Sequence, residues 1–303
     1  MVQIVGIGAN VCDTLITLGK YPTEDTKTRC EAIRRSGGGP VATGLVAAAK
    51  LGAKCAFIGN LSDDGDGRFL ADDFKRFGVS TEYCRTLPGY ASFTSCIWLA
   101  RDSATRTVVF DRGNLPGTEL DGGAKAAIAE AAVLMVDGND LDAAVEAAKI
   151  AKENGTKVLY DAGGRYEGVE RLLPLADYLI PSEEFALGFT GEKTADAAAK
   201  KLFAEFSPEL VVITQGKRGG IVFDGKTVRT YPALPAAVVD SNGAGDVFHG
   251  AFAFALTRGY DPDLACVFSS AVSALKCRKT GARDGAPDFA AVKKFLEENG
   301  YEL

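Results

Sequence analysis

The sequence predicts an α/β fold, a doubly wound and mostly parallel sheet with helices on both faces. From residue 120 onward, short apolar runs alternate with longer helical patterns, which is the rhythm of a parallel sheet covered on both sides. The 303 residues are 47% hydrophobic and 24% charged, so a large core can form without disulfides or a structural metal. We assign residues 1–303 to a single domain, because no repeat, low-complexity tract or long linker interrupts the chain.

The first part of the chain gives strand and helix signals in turn. A short apolar run that ends in glycines predicts a strand over residues 2–8. Three glycines then lead into an Ala-rich helix over 37–53, with Pro40 in the first turn, where proline is tolerated. A strand is predicted over 54–60, and an amphipathic helix over 66–78 ends at a glycine.

The later part of the chain carries the regular alternation. Apolar runs predict strands over 131–137, 156–162, 177–182 and 210–216. Helical patterns predict helices over 141–154, 194–206, 243–259, 262–279 and 287–299. Strands that alternate with helices of this length favour parallel connections.

Two segments do not fit this alternation. Residues 14–36 look like half-exposed antiparallel strands, and residues 92–111 look like a β-hairpin with a polar turn. We expect the two ribbons to pair as a small separate β-sheet, a lid over the carboxyl edge of the core strands. Ligands of open α/β sheets bind at that edge, so such a lid would cover a ligand site.

Charge and cysteine content exclude several classes of function. A net charge of −6 and a pI near 5.1 exclude the broad positive field of a nucleic-acid-binding protein. The seven irregularly spaced cysteines contain no CxxC motif, which indicates reduced thiols and a cytoplasmic location. The N-terminus reads as a strand rather than a signal peptide, and no run approaches the ~18 apolar residues of a membrane span. We therefore expect neither a nucleic-acid nor a membrane partner.

The motif with the clearest chemistry is VVDSNGAGDVFHGAFAFAL, at residues 238–256. Small residues at Gly243, Ala244 and Gly245 let a ligand approach the start of a helix, where N–H groups are unpaired and the dipole is positive. Such a site suits a transferring phosphoryl group. Asp246, in the first turn, can orient and deprotonate an incoming hydroxyl. A GxGD sequence alone is also compatible with a glycine-rich turn that carries a helix-start charge.

A second glycine-rich helix start, GGGPVATG, begins at residue 37. Its glycines can bring the backbone next to a polyhydroxylated ligand, and Thr43 offers a hydroxyl. Tight packing between a strand and a helix explains the same glycines equally well.

Other signals are discounted. Gly6 and Gly8 follow a strand, but Val11 stands at the third glycine position of a dinucleotide-binding motif. There is no GxxxxGK[ST] pattern. His249 is the only histidine, so conventional catalytic triads and multi-histidine metal sites are excluded, and we predict a packed or hydrogen-bonded helix residue.

Taken together, these motifs resemble a known family. SGGGPVATGLVAAAKLGAKCAFIGNLSDDGDG resembles the first signature of the ribokinase-like (PfkB) carbohydrate kinases, and DSNGAGDVFHGAFAFAL resembles the second. KYPTEDTKTRC, RTVVFDRGNLP and VSALKCRKTGARDGAPDF are most similar to the ketohexokinase and sulfofructose-kinase branch. The resemblance implies transfer of the γ-phosphoryl group of ATP, with Mg²⁺, to a primary hydroxyl of a sugar, with a ketohexose as one acceptor to consider. It also implies a monovalent cation such as K⁺, and a homodimer formed through the lid.

The resemblance also assigns residues by position. Asp246 matches the catalytic base, and the three small residues before it match the anion hole. The residues that match the sugar site are Asp13, Gly38, Gly39 and Arg106, to which we add Thr43. The residues that match the nucleotide site are Thr214, Gly216, Gly219 and Gly281. Asp240 and the backbone at Asn242 match a monovalent-cation site.

The sequence departs from the family pattern in places. Many members have asparagines where this chain has Pro40 and Thr43, and the family's Asn-x-x-Glu motif is replaced by a stretch that contains Glu183. Gly138 and Phe110 stand where polar sulfonate contacts are expected, so no sulfosugar is assigned. Two alternatives stay open, a nucleoside kinase of the same fold and a non-catalytic sugar-sensing protein.

Overall fold

The computed structural model of the chain describes residues 1–103, 105–164 and 166–303. The strands are β1 Ile4–Ile7, β2 Val11–Leu18, β3 Ala32–Gly38, β4 Cys55–Ser62, β5 Val79–Leu87, β6 Thr94–Ala100, β7 Thr105–Asp111, β8 Val133–Val136, β9 Lys157–Ala162, β10 Tyr178–Pro181, β11 Leu210–Thr214, β12 Gly220–Phe223 and β13 Val228–Tyr231. The helices are α1 Pro40–Leu51, α2 Gly65–Phe77, α3 Gly122–Glu130, α4 Leu141–Asn154, α5 Glu183–Thr190, α6 Ala195–Phe206, α7 Ala244–Thr257, α8 Pro262–Cys277, α9 Ala282–Gly285 and α10 Phe289–Glu298.

The larger sheet has the strand order β13-β12-β11-β10-β9-β8-β1-β4-β5. Its strands are parallel from β11 to β5, and β12 and β13 form an antiparallel edge. Helices cover both faces. Along β1, Ile4 packs into one core cluster and Val5 into another, as alternate residues of a strand do. The first cluster includes residues of α1, α7, α8 and α10, and the second includes residues of α3, α4 and α6. The predicted doubly wound, mostly parallel sheet is confirmed.

The smaller sheet has the order β3-β2-β6-β7, so the two predicted ribbons do pair with each other. β2 and β6 run parallel, and each ribbon is antiparallel within itself. The first ribbon extends further than predicted, because the pairing continues to Val11 and Gly38. Asp13 therefore lies inside a strand of the small sheet rather than in a loop after β1.

Strand β5 was not predicted. It pairs in parallel with β4 at the edge of the large sheet, with an irregularity in the register near Ala56. Its exposed charged residues, Glu82 and Arg85, obscure the apolar pattern that marks the buried strands. An edge strand is buried on fewer sides, so its sequence is under weaker hydrophobic constraint.

Helices α1 and α7 approach closely through two glycines. A Cβ on Gly250 would overlap the carbonyl oxygen of Gly44, so no larger residue fits at this crossing. The crossing fixes the position of α7 relative to α1. It therefore also sets where the GAGD segment at the start of α7 lies.

None of the helices in the described part of the chain combines the length and the apolar character needed to cross a bilayer.

Candidate active site

The start of α7 is shaped by Gly243. This residue has φ 77°, in the left-handed region, and a Cβ there would overlap the Cβ of Ala282 in α9. The helix begins at Ala244, so Asp246 lies in its first turn. The first turn supplies backbone N–H donors and the positive end of the helix dipole next to this carboxylate. The arrangement suits an anion that reacts within reach of a base.

Three other carboxylates act on the pKa of Asp246. Burial raises the pKa of Asp246 well above the usual range of a carboxyl, and the carboxylates of Asp161, Asp13 and Asp137 raise it further, against the opposing effect of His249. Burial also raises the pKa of Asp13, to about 6, against a hydrogen bond from Ser95. Asp161, Asp13 and Asp137 are therefore near enough to Asp246 to oppose its ionisation.

His249 lies behind Asp246 as a buried side chain, as predicted. Its Nδ1 lies 2.7 Å from the carbonyl oxygen of Gly245 and 3.1 Å from Asp161 Oδ2, and its Nε2 lies 2.9 Å from the carbonyl oxygen of Ile180. Burial lowers the pKa of the imidazole and raises the pKa of Asp161. The pair ties α7 to β9 and β10.

The sugar-side glycines are explained by close approaches. A Cβ on Gly38 would overlap the carboxylate of Asp13, and Gly39, with φ 92°, lies against the carbonyl oxygen of Ala9. Asp13 Oδ1 accepts a hydrogen bond of 2.6 Å from Ser95 Oγ, which leaves Oδ2 on the glycine side. Thr43 is fully buried, and its hydroxyl has no hydrogen-bond partner in the described structure, so a sugar cannot reach it in this conformation.

Arg283 connects several elements next to the sugar-side glycines. The fully buried guanidinium donates to Asp73 Oδ2 at 2.8 Å, to Asn10 Oδ1 at 2.7 Å and to the carbonyl oxygen of Gly38 at 2.6 Å. Its Cζ lies 4.9 Å from the centre of the Phe74 ring. One side chain thus connects α9 to α2, to the end of β1 and to the sugar-side glycines.

A cavity of about 480 Å³ lies on the other side of the α7 start. It is lined by three of the residues predicted for the nucleotide, Thr214, Gly216 and Gly219, together with Ala244 and Gly245. Three of the four predicted nucleotide residues and two of the three predicted anion-hole residues therefore line one cavity. Apolar and aromatic residues complete its wall, among them Tyr231, Leu234, Ala236, Phe248 and Ala274.

Arg106 lies away from Asp13. Along β6, Asp13 pairs with Ser95 and Arg106 pairs with Leu99, four residues further, which is about 13 Å at the rise of a β-strand. Arg106 instead lines a cleft of about 920 Å³ between the small sheet and the loop that contains Asp240. This position is beside Asp240 rather than over the sugar-side glycines.

The residues predicted to bind a monovalent cation are already engaged. Asp240 Oδ1 accepts from the N–H of Asn242, and Oδ2 accepts from the N–H of Gly281, each at 2.8 Å. The ammonium of Lys276 lies 2.8 Å from the carbonyl oxygen of Asp240 and 3.7 Å from Oδ2. Gly281 therefore lies beside Asp240 and is not among the residues that line the 480 Å³ cavity.

The donors for a divalent cation are sparse. Glu183, in the stretch that replaces the Asn-x-x-Glu motif, accepts from Gln215 Nε2 at 2.7 Å and forms an ion pair with Arg218. Over the described ranges 1–103, 105–164 and 166–303, no three His, Cys, Asp or Glu residues group as metal ligands. Such a site fits a Mg²⁺ ion that is bound mainly by substrate phosphates and water.

The sequence of the chain matches that of a known family. The model of the pfkB family carbohydrate kinases matches residues 6–288. The chain belongs to the PfkB family. Ribokinase of Haemophilus influenzae is 31% identical over 266 residues, which cover 86% of this chain and 87% of that protein. The kinase is thus a carbohydrate kinase of the ribokinase-like group.

Two further relatives set the extent of the likeness. The bifunctional ribokinase/ribose-5-phosphate isomerase A of Fructilactobacillus sanfranciscensis is 29% identical over 99% of the kinase, which spans 57% of that relative's length. The structure of Arabidopsis thaliana ribokinase complexed with ribose and ATP has a TM-score of 0.86 at 24% identity, covering 98% of the kinase and 99% of that chain. The match to the Arabidopsis thaliana structure establishes the ribokinase fold over nearly the whole chain.

Sequence analysis missed four charged residues of this site. Asp137 and Asp161 each follow an apolar strand pattern, in AAVLMVD and TKVLYDA, and the carboxyl ends of parallel strands meet at the ligand edge. Lys276 and Arg283 lie within VSALKCRKTGARDGAPDF, a segment that was used for a predicted helix and for its family resemblance but from which neither residue was singled out. A charged residue inside an otherwise apolar helix was the available signal for Lys276.

Proposed function

We propose that the kinase transfers the γ-phosphoryl group of ATP to a primary hydroxyl of a sugar, with residues 1–303 acting as one kinase domain and the small sheet as its lid. The observation that carries the proposal is the position of the α7 start. Ala244 and Gly245 line the cavity that also contains Thr214, Gly216 and Gly219, and Asp246, the next residue, is near enough to Asp13 for that carboxylate to raise its pKa. A phosphoryl group bound by the first turn of α7 would therefore face a hydroxyl held near Asp246.

The chain's own groups account for the chemistry of this transfer. Asp246 accepts the proton of the attacking hydroxyl, and the N–H groups at Gly243 and Gly245 stabilise the charge on the transferring group. The N–H of Ala244, the third residue predicted for the anion hole, donates to the carbonyl oxygen of Ser241 at 3.2 Å in this structure. Asp13 accepts hydrogen bonds from sugar hydroxyls through the oxygen that Ser95 does not use. The small sheet lies over the pocket, so its closure would exclude water as a competing acceptor.

The donor side of the proposal is ATP with Mg²⁺. Mg²⁺, held mainly by the phosphates of ATP, would neutralise charge that develops during transfer, and the few protein carboxylates near the α5 start fit that mode of binding. We assign to Arg106, which lines the cleft beside Asp240, the role of contacting a phosphate. A monovalent cation such as K⁺ is predicted at Asp240 and Asn242 by resemblance, and the Lys276 ammonium next to Asp240 argues against it.

The acceptor is a sugar, and a ketohexose is the first one to test. Relatives named ribokinase, 5-dehydro-2-deoxygluconokinase and ketohexokinase all match the chain, so the names alone do not select one sugar. On the same face of the small sheet as Asp13, Phe110 packs 5.8 Å from Phe93 between ring centres, and this pair offers an apolar surface to an acceptor. The free thiols of all seven cysteines fit our assignment of the kinase to the cytoplasm.

The function is tested by ADP release with ATP and Mg²⁺ across ketoses, aldoses, sugar acids, sulfosugars and nucleosides. We expect turnover with at least one free sugar and none with nucleosides. Turnover with nucleosides alone would favour the nucleoside kinase. Thermal stabilisation by a sugar without ADP release would favour the sugar-sensing protein.

The raised carboxyl pKa values predict the pH dependence of activity. Asp246 must be a carboxylate to accept a proton, and Asp13, with a pKa of about 6, must be one to accept from two hydroxyls. Because both pKa values are raised, activity should decrease as the pH falls below neutral, well above the ~3.9 of an ordinary aspartate. A profile of kcat/KM against pH measures this. An acid limb at the ordinary aspartate value would contradict the assigned roles.

The homodimer is a further part of the proposal. Ile33 and Trp98 lie in one row across the outer face of the small sheet, and Val109 lies on the same face. Their exposed fractions are 64%, 36% and 62%, which is large for apolar side chains that stay in water. We expect light scattering to show a dimer, and the double substitution Ile33→Glu with Val109→Glu to give a monomer. A monomeric wild-type chain at micromolar concentration would contradict this pairing.

A further inference from the structure

Lys276 is a fully buried lysine in the last turn of α8. Its ammonium donates to the carbonyl oxygen of Asp240 at 2.8 Å, and the carboxylate of the same residue lies 3.7 Å away. The stem of the lysine fits because residue 285 is a glycine, where a Cβ would lie 3.2 Å from Lys276 Cε. A buried ammonium is costly unless it is paired, and the contacts with Asp240 supply that pairing.

The oxygen atoms that a monovalent cation would need are turned toward donors instead. Both carboxylate oxygens of Asp240 accept backbone N–H groups, from Asn242 and Gly281, and its carbonyl oxygen accepts from Lys276. A K⁺ ion needs several oxygen ligands that point at it, whereas N–H groups and an ammonium repel it. The donor set around Asp240 therefore does not fit K⁺ as an added ligand.

We propose that the ammonium of Lys276 takes the place of the monovalent cation, so that the kinase needs no K⁺ for activity. An ammonium carries the same charge as K⁺ and has a similar size, and here it is tethered to the fold by a four-carbon stem. A tethered charge cannot dissociate, so the site is filled at every salt concentration. The inference rests on the proposed function, because it concerns the loop that leads into α7, where the proposed transfer takes place.

The backbone around Lys276 connects this charge to the anion hole. The N–H groups of Val239 and Asp240 donate to the carbonyl oxygen of Cys277, at 2.8 and 3.1 Å. Ser273 Oγ donates to the carbonyl oxygen of Ala244 at 2.8 Å. The last turns of α8 therefore carry the loop that leads into α7. Loss of the Lys276 charge would leave Asp240 uncompensated and loosen the residues that bind the phosphates.

The first experiment uses the wild-type chain at constant ionic strength in KCl, NaCl or tetramethylammonium chloride. We expect kcat and the ATP dissociation constant to agree within about twofold among the three salts. The melting temperature should agree within the shift that corresponds to the same free energy, because differences of this size are usual even for neutral surface substitutions. A tenfold or larger activation by K⁺, about 1.4 kcal/mol, would overturn the proposal. ATP affinity and melting temperature need no acceptor, so failure to find a phosphorylated sugar would not be confused with failure of this inference.

The second experiment uses Lys276→Ala, which opens space beside Asp240. We expect activity to fall about tenfold or more in tetramethylammonium and to recover with K⁺ or NH₄⁺, whose charge can enter that space. Lys276→Met fills the space without charge and should not recover. Lys279→Ala, which removes an exposed lysine of the same segment, should behave as wild type. If Lys276→Ala folds and shows no recovery, a charge-replacing role is wrong; if it does not fold, the wild-type series decides alone.

Discussion

Asp246→Asn should lower kcat by about 10²- to 10⁴-fold, the usual contribution of a general base. The substitution keeps the shape of the side chain but removes its ability to accept a proton. The backbone donors at Gly243 to Gly245 do not change, so ATP affinity should be nearly the same. Steady-state rates and calorimetric binding of ATP measure the two effects separately.

The control for this substitution is Asp72→Asn, which makes the same chemical change at an exposed position of α2. It should leave both kcat and ATP affinity at wild-type values. Because burial raises the pKa of Asp246, the amide should also stabilise the fold slightly rather than weaken it. A variant at Asp246 with full turnover would show that another group accepts the proton.

Arg283→Met should lower the free energy of unfolding by about 3–5 kcal/mol, as expected when one partner of a buried ion pair is removed. Methionine fills much of the volume but leaves Asp73 Oδ2, Asn10 Oδ1 and the carbonyl oxygen of Gly38 without the donor that Arg283 now supplies. Urea unfolding measures the change. Because the sugar-side glycines lose an anchor, KM for the sugar should also rise.

The chain offers a matched control for Arg283. Arg76 donates to the other oxygen of the same carboxylate, Asp73 Oδ1, at 2.7 Å, but 56% of its side chain is exposed. Arg76→Met should therefore cost about 1 kcal/mol or less, the usual value of an exposed ion pair. Equal losses from the two substitutions would mean that burial does not set the strength of this network.

Much of this fold follows from local sequence. The alternation of strands and helices after residue 120 predicts the parallel sheet, and the two ribbons that break the alternation predict the small sheet. The role of Asp246 could also be predicted from the sequence, because small residues directly before an aspartate at a helix start indicate an anion site next to a carboxylate. The extension of the first ribbon to Gly38 could not be predicted, since it depends on the pairing of Gly38 with Val11, which is distant in the sequence.

The missed parts of the site depend on contacts between distant residues. Arg283 reaches Asp73 across 210 positions of sequence and the carbonyl oxygen of Gly38 across 245. Lys276 meets Asp240 only after α8 has folded back on the loop before α7. In the sequence each of these cations is one of 34 Lys and Arg residues, and its burial gives no local signal beyond apolar neighbours. Edge strand β5 was missed for a related reason, because exposure removes the pattern.

The most direct test of the account follows the terminal phosphoryl group of ATP. ATP labelled at the γ-position is incubated with the wild-type kinase, Mg²⁺ and the acceptors that give ADP release, and the labelled product is identified by phosphorus NMR. We predict label on a primary hydroxyl of a free sugar, with almost none after Asp246→Asn. Label that appears only as inorganic phosphate, or on a sugar at an equal rate in both proteins, would contradict the account.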